Sequence, residues 1–174
     1  MEYLDLYDHE RHPLGRAIPR GEPFAEGEYH IVTAVWTVNS RGRILLTLRA
    51  PSKRYYPNLW ENTGGAVQSG ETSRSAAIRE LFEETGIRAE QDELILIKTT
   101  KEANYFADTY LLCKDPPPSG VVLQPSETVD AKWVTLDELD AMLAAGQIVP
   151  PAASQLAPVR DKLEALVFSC VSKG

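Results

Sequence analysis

The chain has 174 residues, 43% of them hydrophobic and 25% charged, which is the composition of an ordinary globular protein with one domain and enough length to bury a sizeable core. A formal net charge of -7 and the lack of a basic block argue against a duplex nucleic-acid binder, and no apolar run approaches a membrane-spanning length. The opening MEYLDLYDHERH is charged from its second residue and lacks the apolar core of a signal peptide, so a cytoplasmic location is expected.

Residues 1–28 read as an extension ahead of a main domain of residues 29–170. Tyr3–Tyr7 alternates and predicts a short strand, while Pro13, Gly15, Pro19, Gly21 and Pro23 mark turns. His9 and His12 are read as surface turn residues rather than ligands. His30–Val38, HIVTAVWTV, is almost continuously apolar and β-branched, as expected of a strand covered on both faces. A turn at residues 39–42 leads to a returning strand over 43–49, and the pair is expected in the sheet that supports the next helix.

Residues 50–63, APSKRYYPNLWENT, form a loop rich in turn, basic and aromatic residues, a candidate recognition element. Arg49, Lys53 and Arg54 are candidates for phosphate, and Tyr55, Tyr56 and Trp60 for an organic group. The alternative is that Trp60 and one tyrosine pack the loop down while the lysine and Arg54 stay solvated.

Residues 65–87 read GAVQSGETSRSAAIRELFEETGI, a glycine-rich loop entering a helix that crowds carboxylates onto one side. Thr72 or Ser73 caps its start and Gly86 suits the left-handed residue past its end, which predicts a helix over Ser73–Thr85. Glu80, Glu83 and Glu84 stand at i, i+3 and i+4 and share one face, while Ala77, Ile78 and Leu81 form another that packs on a sheet. Like charges at this spacing destabilise a helix by a few tenths of a kcal/mol per pair, roughly, and a hard divalent cation removes that repulsion. Mg²⁺ takes six oxygens and is typically held by one or two carboxylates together with substrate phosphates. Arg79, four residues before Glu83, is placed to orient a carboxylate.

Beyond the helix, residues 93–100 and 104–113 predict a hairpin, residues 116–120 a stiff surface loop, and 131–134 a short strand. Thr135 with Glu138 predicts a capped helix start, and Pro150-Pro151 precedes a last helix over about 153–168, whose start Pro158 shifts. Cys113 and Cys170 suggest neither a metal pair nor a disulfide framework, and Cys113 reads as a small buried hydrophobe.

At each specified position, the spacing of residues 65–87 matches the signature of the Nudix hydrolase superfamily, which the chain resembles. The leader DLYDHERHPLG, followed by Arg20-Gly21-Glu22, is similar to a subgroup related to isopentenyl-diphosphate isomerase. The order of elements fits, and the resemblance implies, an α/β fold: an α/β/α sandwich with a mixed β-sheet. It also implies Mg²⁺-dependent hydrolysis of a diphosphate bond in a nucleoside diphosphate-linked or related small molecule, with Mn²⁺ able to substitute.

By the same resemblance Glu80, Glu83 and Glu84 are metal ligands, joined by the backbone carbonyl of Gly64. Arg79 fixes the glutamates and Glu71 is a further acid near the metals. Glu127, six residues before Trp133, corresponds to the loop acid that accepts the proton in several members. The expected partner is a small-molecule diphosphate, and a homodimer is left open. One alternative is an isomerase, but the positions of its catalytic Cys and metal His are Gly64 and Ala66 here, and His30 stands without those partners. The other is a domain that only binds a ligand, yet such domains lose motif glutamates that this chain keeps.

Overall fold

In the computed structural model, which describes residues 1–172, the alternating Tyr3–Tyr7 (β1) pairs antiparallel with Pro13–Pro19 (β2). The second strand stands where the sequence suggested only turns; its prolines occupy its two ends, where a missing N–H is tolerated. This hairpin is tied to the body. Leu6 is fully buried, Tyr7 and Tyr29 exchange backbone hydrogen bonds at 2.8 and 2.9 Å, and Asp5 accepts from Ser69 Oγ at 2.6 Å and Gly70 N at 3.0 Å.

His30–Val38 forms β3, followed by Ile44–Arg49 (β4), Trp60–Glu61 (β5) and Thr63–Ala66 (β6). Ser73–Thr85 is helix α1, with strands Ile95–Lys101 (β7), Tyr105–Cys113 (β8) and Thr128–Val134 (β9) after it. β3 runs parallel to β8 along its whole length, and β7 and β8 form the expected antiparallel pair. The other edge of β3 is shared: β6 takes Val32–Val35, whereas β4 meets β3 only where Val38 faces Ile44 and otherwise pairs with β9 and β5. The expected partnership of β3 and β4 is thus confined to their turn, because the Gly-rich strand β6 displaces β4 from the rest of that edge.

α1 covers one face of this mixed sheet, with Ala77 and Leu81 packed on Val35, Leu45, Tyr110 and Leu112. Helices Leu136–Ala144 (α2), Pro150–Leu156 (α3) and Arg160–Val171 (α4) cover the other, against Trp36, Val38, Ile44, Leu46 and Leu111. The result is the expected α/β/α sandwich. Each fully buried Leu or comparable side chain contributes about 1.5–3 kcal/mol, so these two clusters are the main source of stability. The last helix is divided: Pro158 lies in a short 3₁₀ turn, Ala157–Val159, because proline removes an N–H and clashes with the preceding turn.

Cys113, half-buried at the end of β8, is bonded to Cys170 in α4 across 57 residues of sequence. This corrects the reading of Cys113 as an unpaired buried hydrophobe. The spacing carries no trace of the pairing, since it depends on α4 folding back over β8. Among the described residues no helix is long and apolar enough to cross a membrane.

Candidate active site

α1 starts at Thr72, whose side chain accepts from Ser75 N at 3.1 Å while Ser75 Oγ accepts from Thr72 N at 3.0 Å, and it ends at Gly86 with φ 72°. Both ends are specified locally, and that fixes which residues face the sheet and which face the cleft beside it. The cleft has a volume of about 1110 Å³.

Two glycines let α1 come close. A Cβ on Gly64 would run into the Thr33 carbonyl oxygen and the Ala34 Cα of the neighbouring strand. One on Gly65 would occupy the position of the Glu80 carboxyl group. The glycine pair therefore serves as a cradle, with backbone pressed against β3 on one side and a carboxylate laid over the other.

Glu84 is only 5% exposed and is held by Gly64 N at 3.4 Å. Burial, with the neighbouring Glu61 and Glu80, pushes its carboxyl well above the usual carboxylate range. Glu80 is likewise pushed up by burial, opposed by the hydrogen bond from Arg79. Arg79 Nη1 donates to Glu80 Oε1 at 2.8 Å and to Glu83 Oε2 at 3.3 Å, so one guanidinium nitrogen sits between two of the expected ligands.

Of the residues singled out in the sequence, Arg49, Lys53, Tyr56, Gly64, Arg79, Glu80, Glu83, Glu84 and Glu127 all line the cleft. Two do not. Glu71, expected as a further acid near the metals, lies behind Arg79 and outside the cleft lining, taking Nε and Nη2 in a two-point grip and accepting from Gln68 N at 3.0 Å. Trp60 packs against the α2–α4 core under the Lys132 ammonium, 4.1 Å from the ring centroid, and stands outside the cleft lining.

Arg49 has most of its donors engaged. Nη1 bonds both oxygens of Glu61 at 2.8 and 2.9 Å, while Nε and Nη2 hold the Tyr55 carbonyl at 3.2 and 2.9 Å. It clamps the loop of residues 50–59 with four of its five N–H groups, leaving one on Nη2. Lys53 is ion-paired with Glu127, yet burial, with Arg49 and Arg20 nearby, pulls its ammonium below its ordinary value.

Glu61 is the residue the sequence reading missed. It lines the cleft, and burial raises its pKa against the opposing Arg49. The signal was available in the alternation of Trp60 and Glu61: once Trp60 is assigned to the core, its neighbour must face the other way.

Among the described residues, the trio whose acid and imidazole ligand atoms all lie within 4.8 Å of one another is Asp8, Glu10 and His12, outside the cleft. Those contacts follow from a turn: Asp8 Oδ1 accepts from Glu10 N at 2.8 Å and His12 N at 2.9 Å, with Arg11 at φ 68° between them. Glu10 and His12 are solvated, in keeping with the reading of His12 as a surface turn residue. Around Gly64, by contrast, Glu84 is buried and Glu61 and Glu80 are half-buried, so ionised groups there have little water to stabilise them.

The sequence model of the NUDIX domain family matches residues 28–154. The chain is 36% identical over 156 residues to a Nudix hydrolase of Listeria monocytogenes, covering 86% of this chain and 89% of that protein. It is 31% identical over 153 residues to a Nudix hydrolase of Deinococcus radiodurans, covering 84% and 86%. The fold is similar to the crystal structure of DR0079 from Deinococcus radiodurans, with a TM-score of 0.72, 28% identity, and 97% and 99% of the two chains covered.

Proposed function

The chain belongs to the NUDIX family, and from that footing we propose that it is a Mg²⁺-dependent hydrolase of a diphosphate bond in a nucleoside diphosphate-linked small molecule. The observation that carries the reading is that Glu61, Glu80, Glu83 and Glu84 all line one cleft at the Gly64–Gly65 cradle, with Glu80 laid over Gly65 and Glu84 held by Gly64 N. Carboxylates brought together with so little water are a donor set for a hard cation, and Mg²⁺ or Mn²⁺ fits it.

Glu80, Glu83 and Glu84 would hold the ion together with the Gly64 carbonyl. When bound, such an ion neutralises phosphate oxygens, activates water and orients an in-line displacement. The protein's own part is positioning. Arg79, gripped by Glu71, keeps Glu80 and Glu83 aimed at one place. Glu127 faces the same cleft from the loop before β9, ion-paired with Lys53, and is the carboxylate placed to accept the proton. Tyr56, half-exposed at the cleft, borders the organic group.

An allylic isomerisation needs a proton donor beside the diphosphate, and nothing at residues 64 and 66 supplies one. Gly64 has no room for a side chain and Ala66 carries only a methyl group. The test is a screen of nucleoside, sugar and prenyl diphosphates with Mg²⁺, detecting released phosphate or monophosphate, alongside isopentenyl diphosphate examined for its isomer. Cleavage of a nucleoside diphosphate compound that stops in excess chelator is the expected result. Chelator-resistant turnover, or formation of dimethylallyl diphosphate, would overturn the reading.

A further inference from the structure

Successive residues of a strand point to opposite faces, so His30, Val32 and Ala34 of β3 share a face with Trp36, and Tyr105 of β8 shares it with Leu111. Toward Trp36 and Leu111 that face is covered by α3 and α4. Toward His30 and Tyr105 the helical cover ends at Gln155, and the same face opens into the cleft. Val32 and Ala34 are small, so the floor there lies low between rings. Phe24 stands edge-on to His30 with centroids 5.8 Å apart and planes at 78°, and His30 lies 5.9 Å from Tyr105, with which it is paired in the parallel register.

Gln155, 6% exposed, reaches this compartment from α3 and interacts with the Tyr105 hydroxyl. The floor runs on to the carboxylates, because Ala34 is directly paired with Gly64. Burial lowers the His30 pKa, so near neutral pH the wall is uncharged. A prenyl chain would need only apolar walls, and a sugar would need several polar side chains around its ring. Three aromatic rings with a carboxamide and a phenol at the edge instead suit a flat heterocycle that stacks and presents hydrogen-bonding groups.

We infer that Phe24, His30, Tyr105 and Gln155 form the seat of the nucleobase in a nucleoside diphosphate substrate, with the diphosphate directed along Ala34 toward Gly64. The inference rests on the hydrolase reading for the diphosphate end alone. The four residues come from the segment after β2, from the first residues of two parallel strands, and from α3, so the seat exists only in the folded chain.

The test is calorimetric titration of the full chain with AMP, GMP, CMP and UMP, each compared with ribose 5-phosphate, in the presence of Mg²⁺. Stacking on aromatic side chains predicts that at least one nucleotide binds about tenfold or more tightly than ribose 5-phosphate. Tyr105→Leu and Gln155→Leu should each reduce that ratio, while Glu83→Gln should lower turnover and keep the ratio. If ribose 5-phosphate binds as tightly as all four nucleotides, or if no nucleotide binds, the seat is overturned; the wild-type comparison decides this even if a variant fails to fold. Nucleotide binding without cleavage of any diphosphate would strike the hydrolase reading and leave the seat standing.

Discussion

Arg79 meets Glu71 through two hydrogen bonds, Nε to Oε1 at 2.7 Å and Nη2 to Oε2 at 2.9 Å. The side-by-side pair sets the plane of the guanidinium and leaves Nη1 to reach Glu80 and Glu83. The hydrogen bond from Arg79 also holds the Glu71 carboxyl below its ordinary range. Glu71 is thus a positioning residue, acting on the cleft through Arg79. Glu71→Ala should raise the Mg²⁺ concentration needed for half-maximal turnover by roughly 10- to 100-fold, as loss of groups that orient metal ligands does. Arg79→Lys should act in the same direction, because an ammonium cannot make the two-point contact. An unchanged Mg²⁺ dependence in both variants would refute the orienting role.

Glu84→Gln should separate activity from stability. Losing a charge from the proposed cation site is expected to lower turnover by about 10² or more, equivalent to about 3 kcal/mol. The metal-free protein, however, should melt at a higher temperature than wild type in excess chelator. The sign follows from the raised pKa: a carboxyl with a folded value above its unfolded one favours folding at low pH and increasingly opposes it as pH rises through the folded value. The difference in melting temperature should therefore widen with pH. Melting curves in chelator from the acid range upward would show it, and a variant less stable than wild type throughout would contradict it.

The two cradle glycines should fail differently. In Gly65→Ala the new methyl group meets the end of a flexible side chain, the Glu80 carboxyl, which can swing aside. Stability should hardly change, while turnover drops by roughly 10- to 100-fold through a displaced carboxylate. In Gly64→Ala the methyl group meets the backbone of Thr33 and Ala34, which cannot yield without moving β3, and the fold should lose about 1–3 kcal/mol. Denaturant titration with parallel assays distinguishes the two, and a fully active Gly65→Ala would remove the carboxylate cradle from the mechanism.

Arg11 of the hairpin turn closes on Asp108 of β8, Nη1 to Oδ1 at 2.7 Å and Nη2 to Oδ2 at 2.5 Å, with Thr99 Oγ1 also donating at 2.6 Å. Burial alone would raise the Asp108 pKa, but the hydrogen bonds from Arg11, Ser73 and Thr99 outweigh it and hold the group below its ordinary value. A depressed carboxyl stabilises the fold above its unfolded pKa of about 3.9, and that contribution is lost as pH falls through the folded value. Arg11→Ala leaves Asp108 buried without its cation and should destabilise by about 3 kcal/mol at neutral pH. The gap between variant and wild type should shrink as pH falls into the acid range. Denaturant unfolding at neutral and acid pH measures it; a gap independent of pH would rule out the pair as its source.

The local features of the chain were legible from its residues. Thr72, Gly86 and the three-and-four spacing of Glu80, Glu83 and Glu84 act within one or two helical turns, so α1 and its acidic face follow from a short stretch read alone. The same holds for the capped start of α2 at Thr135 and the break at Pro158.

What only the tertiary structure decided depends on pairs of residues far apart in sequence. The bond between Cys113 and Cys170 and the grip of Arg49 on Glu61 and Tyr55 required knowing which segments pack together. So did the replacement of β4 by β6 along β3 and the turning of Trp60 into the core. Helix caps and charge spacing are set by backbone geometry over a few residues, whereas strand partners and the filling of a core are chosen by the burial of the whole chain. For this protein the first kind of information wrote the acidic helix α1, and the second built the cleft around it.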